Sequence, residues 1–254
     1  MFRLAVGQVD AGLDPAARMD WLAQILPSLD ADLLVLPELF ATGYNVGDAL
    51  KSRGEATDGV SAIAIGDLAQ EFDIAIHYGY IEAADGVLFN SAQCISPAGQ
   101  VLGRHRKLMI PPGFEAEYFA TGSETQTFEY RGVRFGMLIC YDVEFPEAAR
   151  RVAAQGVDVI LVPTALGADW GWVAQTMVPT RGFENGVYLA YANSAGVENG
   201  MAFLGESFVG SPDGEVLVRA GGAAQVIVAQ IDPERVKKAQ KRLPYLREFQ
   251  RLAL

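Results

Sequence analysis

Short apolar runs bounded by turn residues alternate along this chain with segments of helical period, an α/β pattern. Residues 3–9 read as a buried strand. Asp14-Pro15 then opens an amphipathic helix to about Leu29, with Met19, Leu22, Ile25 and Leu26 on one face. Residues 32–36 form a short apolar strand stopped by Pro37. A turn-rich loop, 41–48, precedes a helix over about 60–72 and a strand over 74–81. Asp85-Gly86 predicts a hairpin into a strand over 88–96. Further strands are expected at 101–106, 125–130, 135–139, 158–163, 187–193, 203–209, 215–218 and 225–231. Pro146 opens a helix that Gly156 caps. A helix over 172–185 is expected to kink at Pro179, and Asp232-Pro233-Glu234 caps a last helix to about Arg242. Residues 108–122 read as one long loop. Ser96-Pro97-Ala98-Gly99 and Ser211-Pro212-Asp213-Gly214 each join two strands, a faint echo suggesting two halves of similar build.

Composition narrows the function classes. The 254 residues are half hydrophobic and one-fifth charged, enough for a substantial core. No linker interrupts them, so residues 1–254 are expected to form one domain. No apolar run reaches the ~18 residues needed to span a bilayer. The first eight residues enter a strand pattern with none of the marks of a signal peptide, so a cytoplasmic setting is expected. Cys94 and Cys140 make neither a disulfide framework nor a zinc set. A net charge of −11 disfavours nucleic acid and anionic membranes as partners. Phosphate-loop, dinucleotide and metal-ligand spacings are lacking, so no cofactor and no metal are expected.

Three residues share a position. Glu38, Lys107 and Cys140 each fall at the carboxyl end of an expected strand, where open α/β sheets place reacting groups. If those strands are neighbours in a sheet, a carboxylate, an ammonium and a thiol converge and make a nucleophilic site. Taken singly, each has a plainer reading: Glu38 as a loop carboxylate, Lys107 as part of the basic cluster 104–107, Cys140 as a core thiol. Cys94 reads as a core thiol. His77 and His105 are the only histidines, and His105, two residues before Lys107, is the alternative partner for Cys140. Tyr44 and Trp170 lie in loops that can line a pocket.

The chain resembles the carbon–nitrogen hydrolase, or nitrilase, superfamily over nearly its whole length. The resemblance rests on Leu36-Pro37-Glu38, Arg106-Lys107, and Ile139-Cys140-Tyr141-Asp142 followed by Phe145-Pro146-Glu147. Asn90-Ser91-Ala92, Arg181 with Glu184-Asn185, and Phe203 with Gly205 and Ser207 support it. It implies a four-layer αββα sandwich of the nitrilase type and a Glu38–Lys107–Cys140 set. It also implies a second glutamate, assigned to Glu115 with Glu117 as the neighbour alternative. The family's habit of pairing subunits implies a homodimer or higher homo-oligomer, with residues 243–254 as a tail at the interface.

The same resemblance implies hydrolysis of a small primary amide, aliphatic or ω-amino, through a cysteine thioester that releases ammonia. Glu38 is then the base, and Lys107 with the Tyr141 N–H holds the oxyanion. Tyr141, Tyr44 and Trp170 are the expected substrate contacts. The runner-up substrate is an N-carbamoyl amino acid, whose carboxylate needs an arginine such as Arg181 or the 104–106 cluster. Nitrilase chemistry and a non-catalytic ligand-binding subunit are less favoured alternatives.

Overall fold

Two six-stranded sheets stack face to face in this computed structural model, which describes residues 1–249 and 251. In chain order, β1 (Phe2–Gln8), α1 (Pro15–Ile25), β2 (Leu33–Val35), α2 (Ala49–Ser52), α3 (Val60–Glu71), β3 (Ala75–Ala84), β4 (Val87–Ile95) and β5 (Val101–Arg106) build most of the first sheet. α4 (Phe114–Tyr118) follows, then β6 (Gln126–Tyr130), β7 (Val133–Met137), α5 (Pro146–Ala153), β8 (Val159–Thr164), α6 (Val178–Asn185) and β9 (Tyr188–Asn193). The hairpin β10 (Ala195–Glu198) and β11 (Met201–Leu204) leads to β12 (Phe208–Gly210), β13 (Val216–Arg219) and β14 (Gln225–Ile231). α7 (Pro233–Arg242) and α8 (Tyr245–Phe249) complete the described chain. The sheet orders are β14-β1-β2-β3-β4-β5 and β13-β12-β9-β8-β7-β6.

Side-chain alternation along the strands creates the layers. Leu4, Val6, Leu33 and Val35 join Phe135 and Val159 in the core between the sheets. Ala5 and Leu34 turn the other way, toward Leu22 of α1 and Ile65 of α3. Beyond the second sheet, Val152 of α5 and Val178 of α6 extend the same core. Fully burying one such leucine or valine contributes about 1.5–3 kcal/mol. The result is the four-layer αββα sandwich. Among the described residues no helix is long and apolar enough to cross a membrane.

Several elements depart from the sequence reading. The expected helix over 172–185 is a π-helical turn, Val173–Met177, running into α6, and Pro179 sits in the first turn of α6 without ending it. The expected strand over 203–209 is two strands, β11 and β12, separated at 205–207, where Glu206 takes a φ of 53°. The hairpin β10–β11 turns on Asn199-Gly200, both at positive φ, a signal present in the sequence and not used. The loop 108–122 contains α4. β8 continues through Pro163, which keeps its place inside the strand. Of the expected tail, residues 243–249 and 251 are described; 250 and 252–254 lie outside the described residues.

Candidate active site

Glu38 leaves the end of β2 just after Pro37, in a turn whose Leu39 has a φ of 50°. That turn lies directly on β3. A Cβ placed on Gly79 would stand 2.4 Å from the Leu39 nitrogen, so only glycine admits this approach. Lys107 follows β5, and its backbone N–H donates to Asn90 O at 2.8 Å. Cys140 comes from the other sheet, after β7, at a φ of 44°. Positive φ on non-glycine residues at both turns is backbone strain that the surrounding packing sustains. The three residues therefore do not come from neighbouring strands of one sheet, as the sequence reading supposed. β2 and β5 are separated by β3 and β4, and Cys140 is contributed across the sheet–sheet interface, where Ile139 and Cys140 pack with Ala92 of β4.

Lys107 is the centre of a buried polar cluster. Its Nζ donates to Glu38 Oε1 at 2.6 Å and to Glu115 Oε1 and Oε2 at 3.0 and 2.8 Å. Asn90 Nδ2 bridges the same two carboxylates, at 2.7 Å from Glu38 Oε1 and 3.1 Å from Glu115 Oε2. The Tyr44 hydroxyl donates to Glu115 Oε1 at 2.6 Å. Glu38 Oε2 has no hydrogen-bond partner among the described residues. Burial raises the Glu38 carboxyl to about 7, against the opposing charge of Lys107. Burial, and then the charge of Glu38, push the Cys140 thiol well above its ordinary value; Lys107 and the Ala165 backbone N–H pull the other way. Burial alone would lower the Lys107 ammonium, but the charges of Glu38, Cys140 and Glu115 hold it above its usual range. At rest the sulfur is a protonated thiol and the lysine a cation. Burial brings Glu38 into the range where a carboxyl exchanges its proton near neutrality.

Asp142 fastens the two sheets together at this point. Its Oδ2 accepts from Ile139 N at 3.0 Å and meets His105 Nε2 at 3.0 Å. Its Oδ1 accepts from the backbone N–H of Leu108 and Met109 at 2.9 and 2.8 Å. The turn of Cys140 is thus tied to the segment that follows Lys107. His105, weighed as a partner for the thiol, is instead engaged by Asp142. Behind Tyr44, Glu198 accepts from the Tyr44 N–H at 3.0 Å and from Arg18 Nη2 at 2.8 Å. Arg18 also reaches Ala11 O at 2.7 Å and Phe40 O at 3.3 Å. Neither Asp142 nor the Arg18–Glu198 pair was assigned a role from sequence. Asp142 stood inside a quoted motif. Arg18 and Glu198 are 180 positions apart and left no local signal.

The remaining expected residues are distributed as follows. Glu115 is buried in the cluster, whereas Glu117 is exposed. Tyr141 is half-buried and meets Phe145 edge to face at 5.0 Å. Trp170 is not part of the cluster; it is 64% exposed on the short turn Ala168–Trp170 beside β11. Cys94 is a buried core thiol. Arg181 donates to Val143 O at 3.0 Å, Glu144 O at 2.7 Å and Glu184 Oε1 at 3.3 Å. Arg106 and Arg104 are turned to Glu82, at 2.5 and 3.9 Å. None of these arginines is left open for a substrate carboxylate. Among the described residues no group of three or more His, Cys, Asp or Glu has the arrangement to hold a metal ion.

Known proteins resemble this chain in sequence and in fold. The carbon–nitrogen hydrolase family model matches residues 3–241. A Pseudomonas protegens protein described as a hydrolase in the pqqF 5′ region is 40% identical over 92% of this chain and 84% of its own length. An (R)-stereoselective amidase from a Pseudomonas species is 33% identical over 86% of this chain and 80% of its own. The solved structure of an amidase from Nesterenkonia sp. AN1 covers 100% of both chains at a TM-score of 0.86 and 30% identity. Another structure of that amidase shows the acetamide moiety of fluoroacetamide added covalently at its active-site cysteine. With one family model spanning the sandwich from its first strand to its penultimate helix, the chain belongs to the carbon–nitrogen hydrolase family.

Proposed function

We propose that this cysteine-dependent hydrolase converts a small primary amide to a carboxylic acid and ammonia through a thioester on Cys140. The observation that carries the reading is Lys107 buried between Glu38 and Glu115, with an unpartnered Glu38 oxygen and the Cys140 thiol in the same electrostatic cluster. The amidases among its relatives support it.

Glu38 takes the thiol proton as Sγ attacks the amide carbon. The Lys107 ammonium and the Tyr141 N–H meet the charge that develops on oxygen. Tyr141 is suited to this because the first N–H groups of a helical turn have no acceptor within it. The tetrahedral adduct collapses, the C–N bond breaks, and Glu38 returns its proton to the leaving nitrogen, giving ammonia and an acyl thioester. Water then yields a proton to Glu38 and attacks the thioester. The C–S bond breaks, the sulfur regains a proton from Glu38, and the acid departs. Glu115 keeps the ammonium oriented throughout, and Tyr44 orients Glu115. An N-carbamoyl amino acid is less well served, because the arginines available for its carboxylate are engaged elsewhere.

The test is ammonia release from an amide panel together with thiol labelling. Iodoacetamide is expected to alkylate Cys140 before Cys94, in parallel with loss of turnover. Cys140→Ala is expected to lose at least ~10³-fold in kcat while staying folded. The kcat/KM profile should rise with pH to a half-maximum near 7, since the base works only once Glu38 is ionised. Turnover that survives in Cys140→Ala sinks the mechanism.

A further inference from the structure

Buried charge lies outside the catalytic cluster as well as inside it. Arg18 and Glu198 pair with side chains only 5% and 8% exposed, and the reaction does not use them. Desolvating two charges is costly, so such a pair persists where further hydrogen bonds hold its geometry. Arg18 is well supplied by carbonyls. Its Nε donates to Leu13 O at 2.8 Å, Nη1 to Leu39 O and Phe40 O at 3.4 and 3.3 Å, and Nη2 to Ala11 O at 2.7 Å. Leu39 and Phe40 belong to the turn that follows Glu38. Glu198 spends only Oε1 on Arg18. Its Oε2 accepts from the backbone N–H groups of Tyr44 and Asn45, at 3.0 and 2.5 Å.

The loop that carries Tyr44 is seated on this carboxylate. Gly43 has a φ of 87°, and a Cβ there would stand 2.8 Å from Glu198 Oε1, so only glycine fits. Asn45 Nδ2 donates to Glu198 O at 3.1 Å, and Asn199 Nδ2 returns a bond to Asn45 O at 2.8 Å. The Tyr44 ring meets Phe203 of β11 edge to face at 6.0 Å. From that ring the hydroxyl reaches Glu115, which holds Lys107. The hairpin that supplies Glu198, Asn199 and Phe203 is an addition to the frame. β3 turns into β4 over Asp85-Gly86, whereas β9 and β12, also antiparallel neighbours, are separated by residues 194–207. Those residues form β10–β11, outside both six-stranded sheets. We infer that Glu198 is a positioning residue for the reaction: through the main chain of Tyr44 it places the hydroxyl that holds Glu115, and so the Lys107 ammonium. The ring is rigid, so a shift of the Tyr44 N–H is passed on to its hydroxyl, and a hydrogen bond weakens steeply as its geometry departs from the optimum. The inference rests on the thiol mechanism proposed above and adds a residue to it.

A double-mutant cycle separates positioning from bulk stability. Glu198→Gln keeps the shape but cannot accept at both ends. Tyr44→Phe keeps the ring and removes the hydroxyl. Two rates are read: kcat for the best amide, and alkylation of Cys140 by iodoacetamide. Each change alone is expected to lower both by ~10-fold with KM altered less than ~3-fold, within the ~100-fold that ~1 Å of misplacement can cost. Together they should cost little more than either, since without the hydroxyl Glu198 has nothing to act through. Asn45→Ala cuts the amide tie to the hairpin and leaves the ion pair whole; it carries the test if Glu198→Gln does not fold. It should lower both rates by ~3-fold, and only where the Tyr44 hydroxyl is present. Losses that multiply to ~100-fold in the double variant, or wild-type rates in Glu198→Gln or Asn45→Ala, overturn the inference. The alkylation arm needs no substrate. The same non-additive pattern there, with no amide turned over by the wild type, would support the inference and sink the amidase reading.

Discussion

Strand by strand, the first sheet and the second run through the same pairings. β1–β2–β3 and β7–β8–β9 are parallel, β3–β4–β5 and β9–β12–β13 antiparallel, and β14 and β6 close corresponding edges. The match extends to detail. Ser96 and Ser211 each accept from the residue three positions on and cap the residue four on, at 3.2 and 3.1 Å, after a bulge in the preceding strand. Matched by register and by Pro37 with Pro163, the frames differ at the strand ends. Thr164 stands where Glu38 would be, Gly222 where Lys107 would be, and Val9 where Cys140 would be in the other half. One half carries the carboxylate and the ammonium, and the other carries the sulfur. A repeated frame can thus be kept for packing while its reactive ends diverge, provided that the two copies stack with those ends together.

The largest expected effect breaks the first half's contribution. Lys107→Ala removes the cation and leaves Glu38 and Glu115 buried against each other. It should cost at least ~100-fold in kcat/KM, as loss of an oxyanion donor does. Retained activity would mean that the first sheet supplies no cation to the reaction.

A smaller effect sharpens the contrast at the matching positions Gly79 and Ala192. The methyl group tolerated at Ala192 would, at Gly79, press on the turn that carries Glu38. Gly79→Ala is expected to lower stability by about 1–3 kcal/mol and to depress kcat. Ala192→Gly should cost only about 0.5–1 kcal/mol and leave kcat near wild type. Calorimetry with steady-state kinetics checks the pair, and equal effects would remove the asymmetry.

A contrast that shows only in acid is between His77 and its match, Ala190. Both His77 ring nitrogens lack a partner among the described residues, and burial, with His105 adding to it, lowers its pKa to about 3. The unfolded chain takes up this proton near pH 6.5, and the native state does so only near 3. Stability is therefore full above about 6.5 and falls as pH drops through that window, by about 2–3 kcal/mol at pH 4.5 from this residue. Urea unfolding at pH 7.5 and 4.5 should show His77→Leu losing less between the two than wild type. An equal loss would show that His77 is not the buried neutral group responsible.

Much was legible along the chain because its signals are local. Continuous apolar runs such as 33–36 and 159–162 must bury both faces, the Asp85-Gly86 turn sets its own φ values, and Asp232 caps α7 through its own side chain. The same locality let short motifs mark Glu38, Lys107, Glu115 and Cys140. Where reading by period failed, the deciding contact was distant. The break at 205–207 is held by Gln8, whose oxygen accepts from the Ser207 N–H at 2.9 Å across 199 positions.

What the amino-acid sequence determined by itself was the set of elements, their echo in two halves and the residue types able to do chemistry. Tertiary structure alone decided that the sulfur comes from the sheet opposite the one that carries the two glutamates and the lysine, and that Asp142 bolts the two turns together. It also decided that Arg18 serves Glu198. The physical reason is that hydrogen bonds and desolvation act over a few ångströms of space. Separation along the chain carries no record of which strand ends will meet when two sheets close on one another.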